Sequence, residues 1–405
     1  MSTPGGLPVA QRTGWFTPPR LIMAVFFVQA VAMTNWFPRI PDVQQHLGLS
    51  PGQLSICLIG MSLGTFVMTI FNGPLIARFS ARTMMAVGMC AYYAALILPG
   101  LAWSGPSLFV LLVVMGLSYV IVDVAMNVEA ARIQDAVGRR IMSTCHGFWS
   151  VGAVVGSVMG GEFAQASVPT WLHLALVAIL VLPFGLVTVR ALPVVPKQAV
   201  PGEGRRPVLA FPTLALAGVC IYVFGAVLAE LSARNWGAAF LRDALGTSAA
   251  ATGWGLGIFS LTMAAGRLAG DRLADRFGPV ALGRFCAFTG VVGMAALVFA
   301  NGLPLALFGL AAIGFGVSVG FPLAVSAAAA HGERPPAINV ASVALIAYSG
   351  SLVGPPLVGF VADGAGLRIG LASLLPLMVL SALFAGALGR PKPTPGTVNA
   401  GKGGE

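Results

Sequence analysis

Twelve apolar stretches, each bounded by glycine, proline or charge, follow one another along almost the whole chain. Each is long enough to cross a bilayer with some tilt, because a spanning helix needs roughly 20 residues. They are too long for barrel strands, and a helix satisfies its own backbone hydrogen bonds in lipid. The sequence therefore predicts an all-α membrane protein with twelve transmembrane helices. The stretches are 20–38, 51–76, 83–102, 106–131, 140–165, 169–190, 208–232, 249–273, 280–300, 303–330, 336–362 and 367–389.

The scarcity of charge excludes most other classes of protein. Only 9% of the 405 residues are charged, and 57% are apolar. A soluble domain carries about 25% charged residues, so this chain cannot cover a surface that faces water on all sides. The composition excludes soluble enzymes and nucleic-acid-binding proteins, in spite of a formal net charge of +10.

The positions of the basic residues predict the topology. With the N-terminus in the cytoplasm, all but four of the 23 lysines and arginines fall in inner segments. Cytoplasmic loops of membrane proteins carry an excess of such residues, so we expect both termini inside. The four exceptions, which fall in outer segments, are Arg39, Arg234, Arg242 and Arg368.

Two sets of six helices are separated by a linker rich in proline and basic residues. Arg78-Phe79 recurs as Arg276-Phe277, and Gly116 recurs as Gly314, in both cases 198 residues later. One offset recurring in different helices predicts two parallel, pseudo-symmetric six-helix repeats, as in transporters whose halves rock about a central site. The predicted segments are a cytoplasmic tail at 1–19, an N-terminal half at 20–190, a cytoplasmic linker at 191–207, a C-terminal half at 208–389 and a cytoplasmic tail at 390–405.

Several motifs resemble those of the major facilitator superfamily over nearly the whole chain. The stretch Leu273-Ala274-Asp275-Arg276-Phe277-Gly278 is similar to that family's signature loop between helices 8 and 9. Other segments resemble a bacterial branch near the fucose permease-like sugar–proton symporters. They are Asp123 to Glu129, Met142 to Gly152, Ala229-Glu230, Asn235-Trp236 and Gly320 to Leu323. The resemblance implies a carrier that works by alternating access and lies in the bacterial inner (plasma) membrane.

The resemblance also implies which residues gate the inner face. Asp275 is expected to latch that face in the outward-open state, with Asp271, Arg276 and Arg78 as the other gating residues. A fixed role for Asp275, in an ion pair or as a helix cap, is the alternative. In the first half the corresponding aspartate and glycine positions hold Ala77 and Ser80, which leaves the latch to Asp275.

Asp123 is the strongest candidate for proton coupling. It lies within an apolar stretch, where a carboxylate costs a few kcal/mol and usually marks a proton relay or a substrate contact. Asn127, four residues on, shares its helical face and is a candidate substrate contact. His146 is the second proton-coupling candidate and Trp149 a candidate substrate contact. The alternatives are a carboxylate neutralised by a fixed partner, a structural imidazole and a core indole.

Other polar side chains in apolar stretches are candidate substrate contacts. Glu230 and Arg234 are four residues apart near the predicted outer end of the seventh helix, where they either neutralise each other or line the cavity. The remaining candidates could each equally form a single interhelical hydrogen bond. They are Gln29, Asn35, Trp36, Tyr222, Asn235, Asn339 and Tyr348.

We expect a proton-coupled secondary transporter that moves a small polar, sugar-like solute. The sequence contains no phosphate-binding G-x-x-x-x-G-K-[ST] loop and no H-E-x-x-H zinc motif, so we expect neither an ATP-driven pump nor an enzyme. The proton gradient takes the place of a cofactor, and no metal is called for. The expected partners are the solute and the lipid bilayer, and we expect a monomer. A proton-antiporting exporter of drugs or metabolites and a non-transporting membrane sensor are the alternatives.

Overall fold

The computed structural model describes residues 17–139, 141–193, 211–332 and 334–389, and throughout these ranges it contains helices and no strands. The C-terminal tail, residues 1–16 of the predicted N-terminal tail and most of the linker at 191–207 lie outside the described residues, and the first helix already begins at Pro18. The helical segments are α1 (Pro18–His46), α2 (Pro51–Phe79), α3 (Ala81–Leu101), α4 (Gly105–Val137), α5 (Met142–Gln165), α6 (Thr170–Ala191), α7 (Leu214–Ala244), α8 (Ala249–Phe277), α9 (Pro279–Val298), α10 (Leu303–Ala329), α11 (Pro336–Ala365) and α12 (Leu367–Leu388).

Ten of these segments are long and apolar enough to cross a membrane, and α5 and α8 are the two that are not. These two helices pack against each other. A Cβ atom added to Gly161 of α5 would lie 2.7 Å from the Cα of Gly253 in α8, which is too close for any side chain. The small residues that lower the hydropathy of both helices are therefore the ones that let them touch. The all-α membrane fold is confirmed, whereas the count of twelve spans stays a prediction.

Helix ends recur at the offset found in the sequence. Ser50 is the N-cap of α2 and Ser248 is the N-cap of α8. Each hydroxyl accepts a hydrogen bond from the backbone N–H three residues further along the chain. At the other ends of these helices, Ser80 has φ 75° and Gly278 has φ 83°. Positive φ favours glycine, so the first half forces a serine into a turn that the second half makes with glycine. The Ser80 hydroxyl still accepts a hydrogen bond from the N–H of Thr83.

The two halves share one packing order. In the first half α1 packs on α5 and α6, α2 on α4, and α3 on α4 and α6. In the second half α7 packs on α11 and α12, α8 on α10, and α9 on α10 and α12. The paired glycines have equivalent contacts, since Gly116 lies against the carbonyl of Met61 and Gly314 against that of Phe259.

The halves meet through α5 with α8 and through α2 with α11. At one end of the molecule, polar groups also join them; we call this the closed end. The closed-end contacts are an Asp42–Arg242 ion pair and hydrogen bonds from Gln45 to Asp243 (3.4 Å), from the Gly52 N–H to Asp363 (3.2 Å) and from the Ala250 N–H to Gln165 (3.4 Å). The opposite end, with the α2–α3 and α8–α9 turns, we call the open end. There, the described residues form no hydrogen bond or ion pair between the halves.

Candidate functional site

Three charged side chains meet near the middle of α7 and α8. The Oε1 atom of Glu230 lies 3.2 Å from Nη2 of Arg234 and 3.5 Å from Nη2 of Arg267. One carboxylate oxygen therefore contacts two guanidinium groups. We call these three residues the charged cluster.

Arg234 is the most deeply buried member of the charged cluster, with 7% of its side chain exposed against 27% for Arg267. Its guanidinium lies 5.3 Å from the ring centre of Trp149 and 5.4 Å from that of Phe259. Its Nη2 atom also lies 3.4 Å from the sulfur of Met263. Trp149 belongs to α5, so the aromatic support of this arginine comes from both halves of the protein.

Asp123 lies near the middle of α4, in the other half, and is half-buried. The Tyr119 hydroxyl donates a 3.4 Å hydrogen bond to its carboxylate, and the Asn127 amide donates a 2.8 Å bond to its backbone carbonyl. Tyr119 lies close enough to Arg234 for the two side chains to interact electrostatically, and Tyr348 of α11 lies equally within reach of the charge of Asp123. The structure therefore brings Asp123 and the charged cluster to one region between the halves.

His146 faces the same region without bonding to Asp123. Its ring packs edge-on against Phe26, with ring centres 5.3 Å apart, and it is within electrostatic range of Arg267. The described contacts contain no direct hydrogen bond between His146 and Asp123. A two-residue proton relay would therefore need an intervening group, and the coupling role of His146 stays a prediction.

Tyrosines behind Asp123 form a support that the sequence did not reveal. Tyr119 packs edge-on against Tyr92, with ring centres 5.5 Å apart, and Tyr92 packs edge-on against Tyr93. The Tyr93 hydroxyl donates to the carbonyl of Val28 in α1. Tyrosine in an apolar helix carries no pattern that distinguishes a site from a core, so Tyr119 could have been found only by its spacing of four residues from Asp123.

Several of the predicted contact residues lie in the packed core. Asn35 and Trp36 of α1 are buried, and the Asn35 amide oxygen lies 2.9 Å from Nε2 of His173, which closes a contact within the N-terminal half. Tyr222 is buried between α7 and α9. Asn339 is buried at the open end, where its amide donates to the carbonyl of His331. The structure does not bring these four side chains to the charged cluster.

Two further predicted contact residues, Gln29 and Asn235, make no hydrogen bond to another helix through their side chains in the described contacts. Gln29 of α1 is fully buried, and neither its amide oxygen nor its amide nitrogen has a hydrogen-bond partner. An unpaired buried amide is costly, so this side chain has capacity for a ligand. Asn235 is half-buried, and its amide donates to the carbonyl of Leu231 one turn back in α7.

The predicted gating residues lie at the open end, and all are exposed. The guanidinium of Arg78 lies over the ring of Phe79, and that of Arg276 lies over the ring of Phe277, so both turns repeat one arrangement. Asp271 and Asp275 take part in none of the ion pairs of the described chain. The latch role of Asp275 stays a prediction, and in this conformation a latch is not engaged.

Two sequence-based placements are wrong. The seventh helix was expected to end at 232, with Glu230 and Arg234 near its outer end, but α7 continues to Ala244 and both residues lie near its middle. Arg234 was assigned to an outer segment and Arg267 to an inner one, yet both contact one oxygen of Glu230. The sequence-based placement assumed that charged side chains mark the ends of helices. In the structure these three charged side chains pair with one another inside the helix bundle.

Comparison with known proteins agrees with this architecture. The family model of the Major Facilitator Superfamily matches residues 22–237 and 210–405, and so covers almost all of the chain. The chain is 30% identical to the uncharacterized transporter y4wD of Sinorhizobium fredii (strain NBRC 101917 / NGR234) over 87% of its own length and 93% of that protein.

Solved structures of transporters share the fold at low sequence identity. A variant of the nucleoside transporter NupG superposes with a TM-score of 0.74 at 15% identity, covering 92% of this chain and 99% of that one. A variant of the E. coli fucose:proton symporter FucP superposes with a TM-score of 0.61 at 17% identity, covering 92% and 99%. These matches are to transporters and not to enzymes. The chain is a multi-pass membrane transporter that belongs to the Major Facilitator Superfamily.

Proposed function

We propose that this protein is a proton-coupled secondary transporter that moves a small polar solute across the bacterial inner membrane by alternating access. One observation carries the proposal: ionisable side chains of both halves, Asp123 in α4 and Glu230 in α7, lie near mid-helix on either side of the region between the halves. A carboxylate at this depth in a membrane costs a few kcal/mol and usually marks a proton relay or a substrate contact. The two halves then supply the bodies that rock. Asp123 supplies the proton site, with His146 as the second candidate, and Glu230 belongs to the substrate site.

The proposed carrier has twelve spans, with both termini in the cytoplasm, and acts as a monomer. In this orientation the closed end faces away from the cytoplasm, so the structure corresponds to an inward-open state. The exposed, unpaired Asp271 and Asp275 at the open end agree with such a state. Apolar side chains such as Phe184 and Leu383, 71% and 70% exposed, would face lipid.

A sugar-like or nucleoside-like solute fits the site. The Trp149 ring offers a face on which a sugar can stack, and the guanidinium of Arg234 lies beside it. NupG is a nucleoside transporter and FucP a fucose:proton symporter, and both share the fold. A thermal-shift panel of sugars, sugar acids, nucleosides and cationic drugs would identify the solute, because a bound solute stabilises the folded carrier by mass action.

The decisive variant is Asp123→Asn, measured in proteoliposomes with the solute that this panel finds. We expect it to abolish uphill uptake driven by a proton gradient while leaving solute binding and exchange, because the amide keeps the shape of the carboxylate but cannot carry the proton. Asp135→Asn is the matched control, since Asp135 is an exposed carboxylate on the same helix. Undiminished uphill uptake by Asp123→Asn would contradict the proposal.

The same assay separates the alternative functions. Proton entry with the solute indicates symport, and proton movement against the solute indicates an exporter that works by antiport. Binding without any flux would identify a membrane sensor and would overturn the transport proposal.

A further inference from the structure

The charged cluster carries more positive than negative charge. Arg234 and Arg267 share the single carboxylate of Glu230, so the three side chains sum to one positive charge if all are ionised. Asp123, the nearby carboxylate of the other half, bonds to Tyr119 and forms no ion pair with either arginine. A buried charge without its own partner is costly, so the charged cluster is suited to binding an anion.

The hydrogen-bond donors of both arginines are also incompletely used. Arg234 makes polar contacts only through Nη2, to Glu230 and to the weakly accepting sulfur of Met263. Arg267 contacts Glu230 through Nη2, and its Nε donates a 3.4 Å bond to the carbonyl of Ser318. A guanidinium has five N–H donors, so most of those on Arg234 and several on Arg267 have no protein acceptor among the described contacts.

The buried guanidinium is held in place before any ligand arrives. Trp149 and Phe259 lie against Arg234, which restricts its rotation and leaves donors at the edge of the plane. A fixed, planar guanidinium is suited to the bidentate binding of a carboxylate or a phosphate. Because Trp149 comes from α5 and the arginines from α7 and α8, an anion bound here would contact both halves.

We propose that Arg234 and Arg267 bind the anionic group, a carboxylate or phosphate, of a sugar-like solute. The inference rests on the proposed transport function and narrows its substrate class from polar solutes to organic anions. Glu230 holds the two arginines together, and the solute supplies the second acceptor; a singly charged carboxylate then brings the cluster to neutrality. A neutral occupied site crosses between conformations without carrying an unbalanced charge.

The test uses the purified full-length carrier and three matched pairs of probes: glucose with glucuronate, galactose with galacturonate, and uridine with uridine 5′-monophosphate. Within each pair only the anionic group differs greatly, and the pairs separate carboxylate from phosphate recognition. We expect the anionic member of at least one pair to raise the unfolding temperature and to bind in calorimetry, and its neutral partner to bind at least tenfold more weakly, roughly the value of one charge-assisted hydrogen bond.

Variants show whether the arginines are responsible. Arg234→Gln and Arg267→Gln should each weaken anion binding about ten- to hundredfold. Arg267→Lys keeps the charge and should lose less. Glu230→Gln removes the competing carboxylate and should tighten anion binding, which a cluster that only joins helices would not do. Arg284→Gln, at an exposed arginine of α9, is the control and should bind as the wild type does.

Three results would overturn the inference: neutral probes that bind as tightly as their anionic partners, anion binding that survives both Arg→Gln variants, or no binding by any anionic probe. Proteoliposome measurements keep this outcome separate from the transport proposal. Proton-driven uptake of a neutral solute would leave the proposed function standing and the anion site refuted. Anion binding without proton movement would leave the anion site standing and refute the proposed proton coupling.

Discussion

The two ends of the molecule differ in how the halves are joined. At the closed end, an Asp42–Arg242 ion pair and three hydrogen bonds connect them, and α5 packs closely on α8. At the open end, the guanidinium of Arg78 lies over Phe79 and that of Arg276 lies over Phe277, so each of these two contacts stays within one half. A carrier that alternates must exchange one set of contacts for another of similar free energy. The described residues of the open end form no polar contact between the halves, so this is where the opposite state has to gain contacts.

The largest expected effect comes from separating α5 and α8 at the closed end. Gly161→Ala adds a methyl group 2.7 Å from the backbone of Gly253, and we expect it to destabilise this conformation by about 1–3 kcal/mol, the usual cost of overpacking. Gly73→Ala is the control, since a Cβ at Gly73 meets nothing within 4 Å. Labelling of a cysteine at Ser55, buried between α2 and α11, reports the opening. Equal labelling in both variants would contradict the close contact.

A smaller effect is expected from Arg242→Gln. The variant removes the ion pair between the halves but leaves Asp42 paired with Arg39, whose Nε lies 2.6 Å from it. We therefore expect a loss of about 1 kcal/mol from the closed end, equal to a roughly fivefold shift toward the opposite state. Labelling at the same Ser55 cysteine measures the shift. An unchanged labelling rate would show that the ion pair does not hold the closed end.

The smallest effect is expected at the open end, from Ala77→Asp. This change places in the first half the acidic residue that the signature loop of the second half has at Asp275, and it gives the open end a further carboxylate for pairing between the halves. Exposed pairs contribute about 0.2–1 kcal/mol, so we expect a shift of up to about fivefold toward the outward-open state. Labelling should rise at the closed end and fall at the open end. Labelling that stays the same at both ends would refute the gating role of this position.

The sequence predicted the helical architecture because its signals are local or periodic. Apolar stretches and a recurring offset of 198 residues need no knowledge of distant contacts. It also indicated Asp123, Trp149 and Glu230, since polar side chains in apolar helices are expensive and therefore informative.

The rest of the site depends on contacts between helices that are far apart in sequence. Arg234 and Arg267 are 33 residues apart, and each alone resembles a loop cation; only their shared carboxylate shows that they belong to one cluster. Asn35 and His173 are 138 residues apart in the sequence, and their contact places Asn35 in the packed core and not at the charged cluster. Tyr119 gave only a weak signal, its spacing of four residues from Asp123, because aromatic residues are common in any apolar helix.

The Asp42–Arg242 pair has a consequence for how such a chain arises from a duplication. The two residues are 200 positions apart, the spacing at which Asn35-Trp36 recurs as Asn235-Trp236, so they occupy equivalent places in the two halves. Equivalent places that meet lie on the axis relating the halves, and two identical copies would bring like charges together there. This contact could form only after the copies had diverged. One covalent chain, in which each half mutates separately, makes that divergence accessible, whereas a symmetric dimer of identical subunits does not.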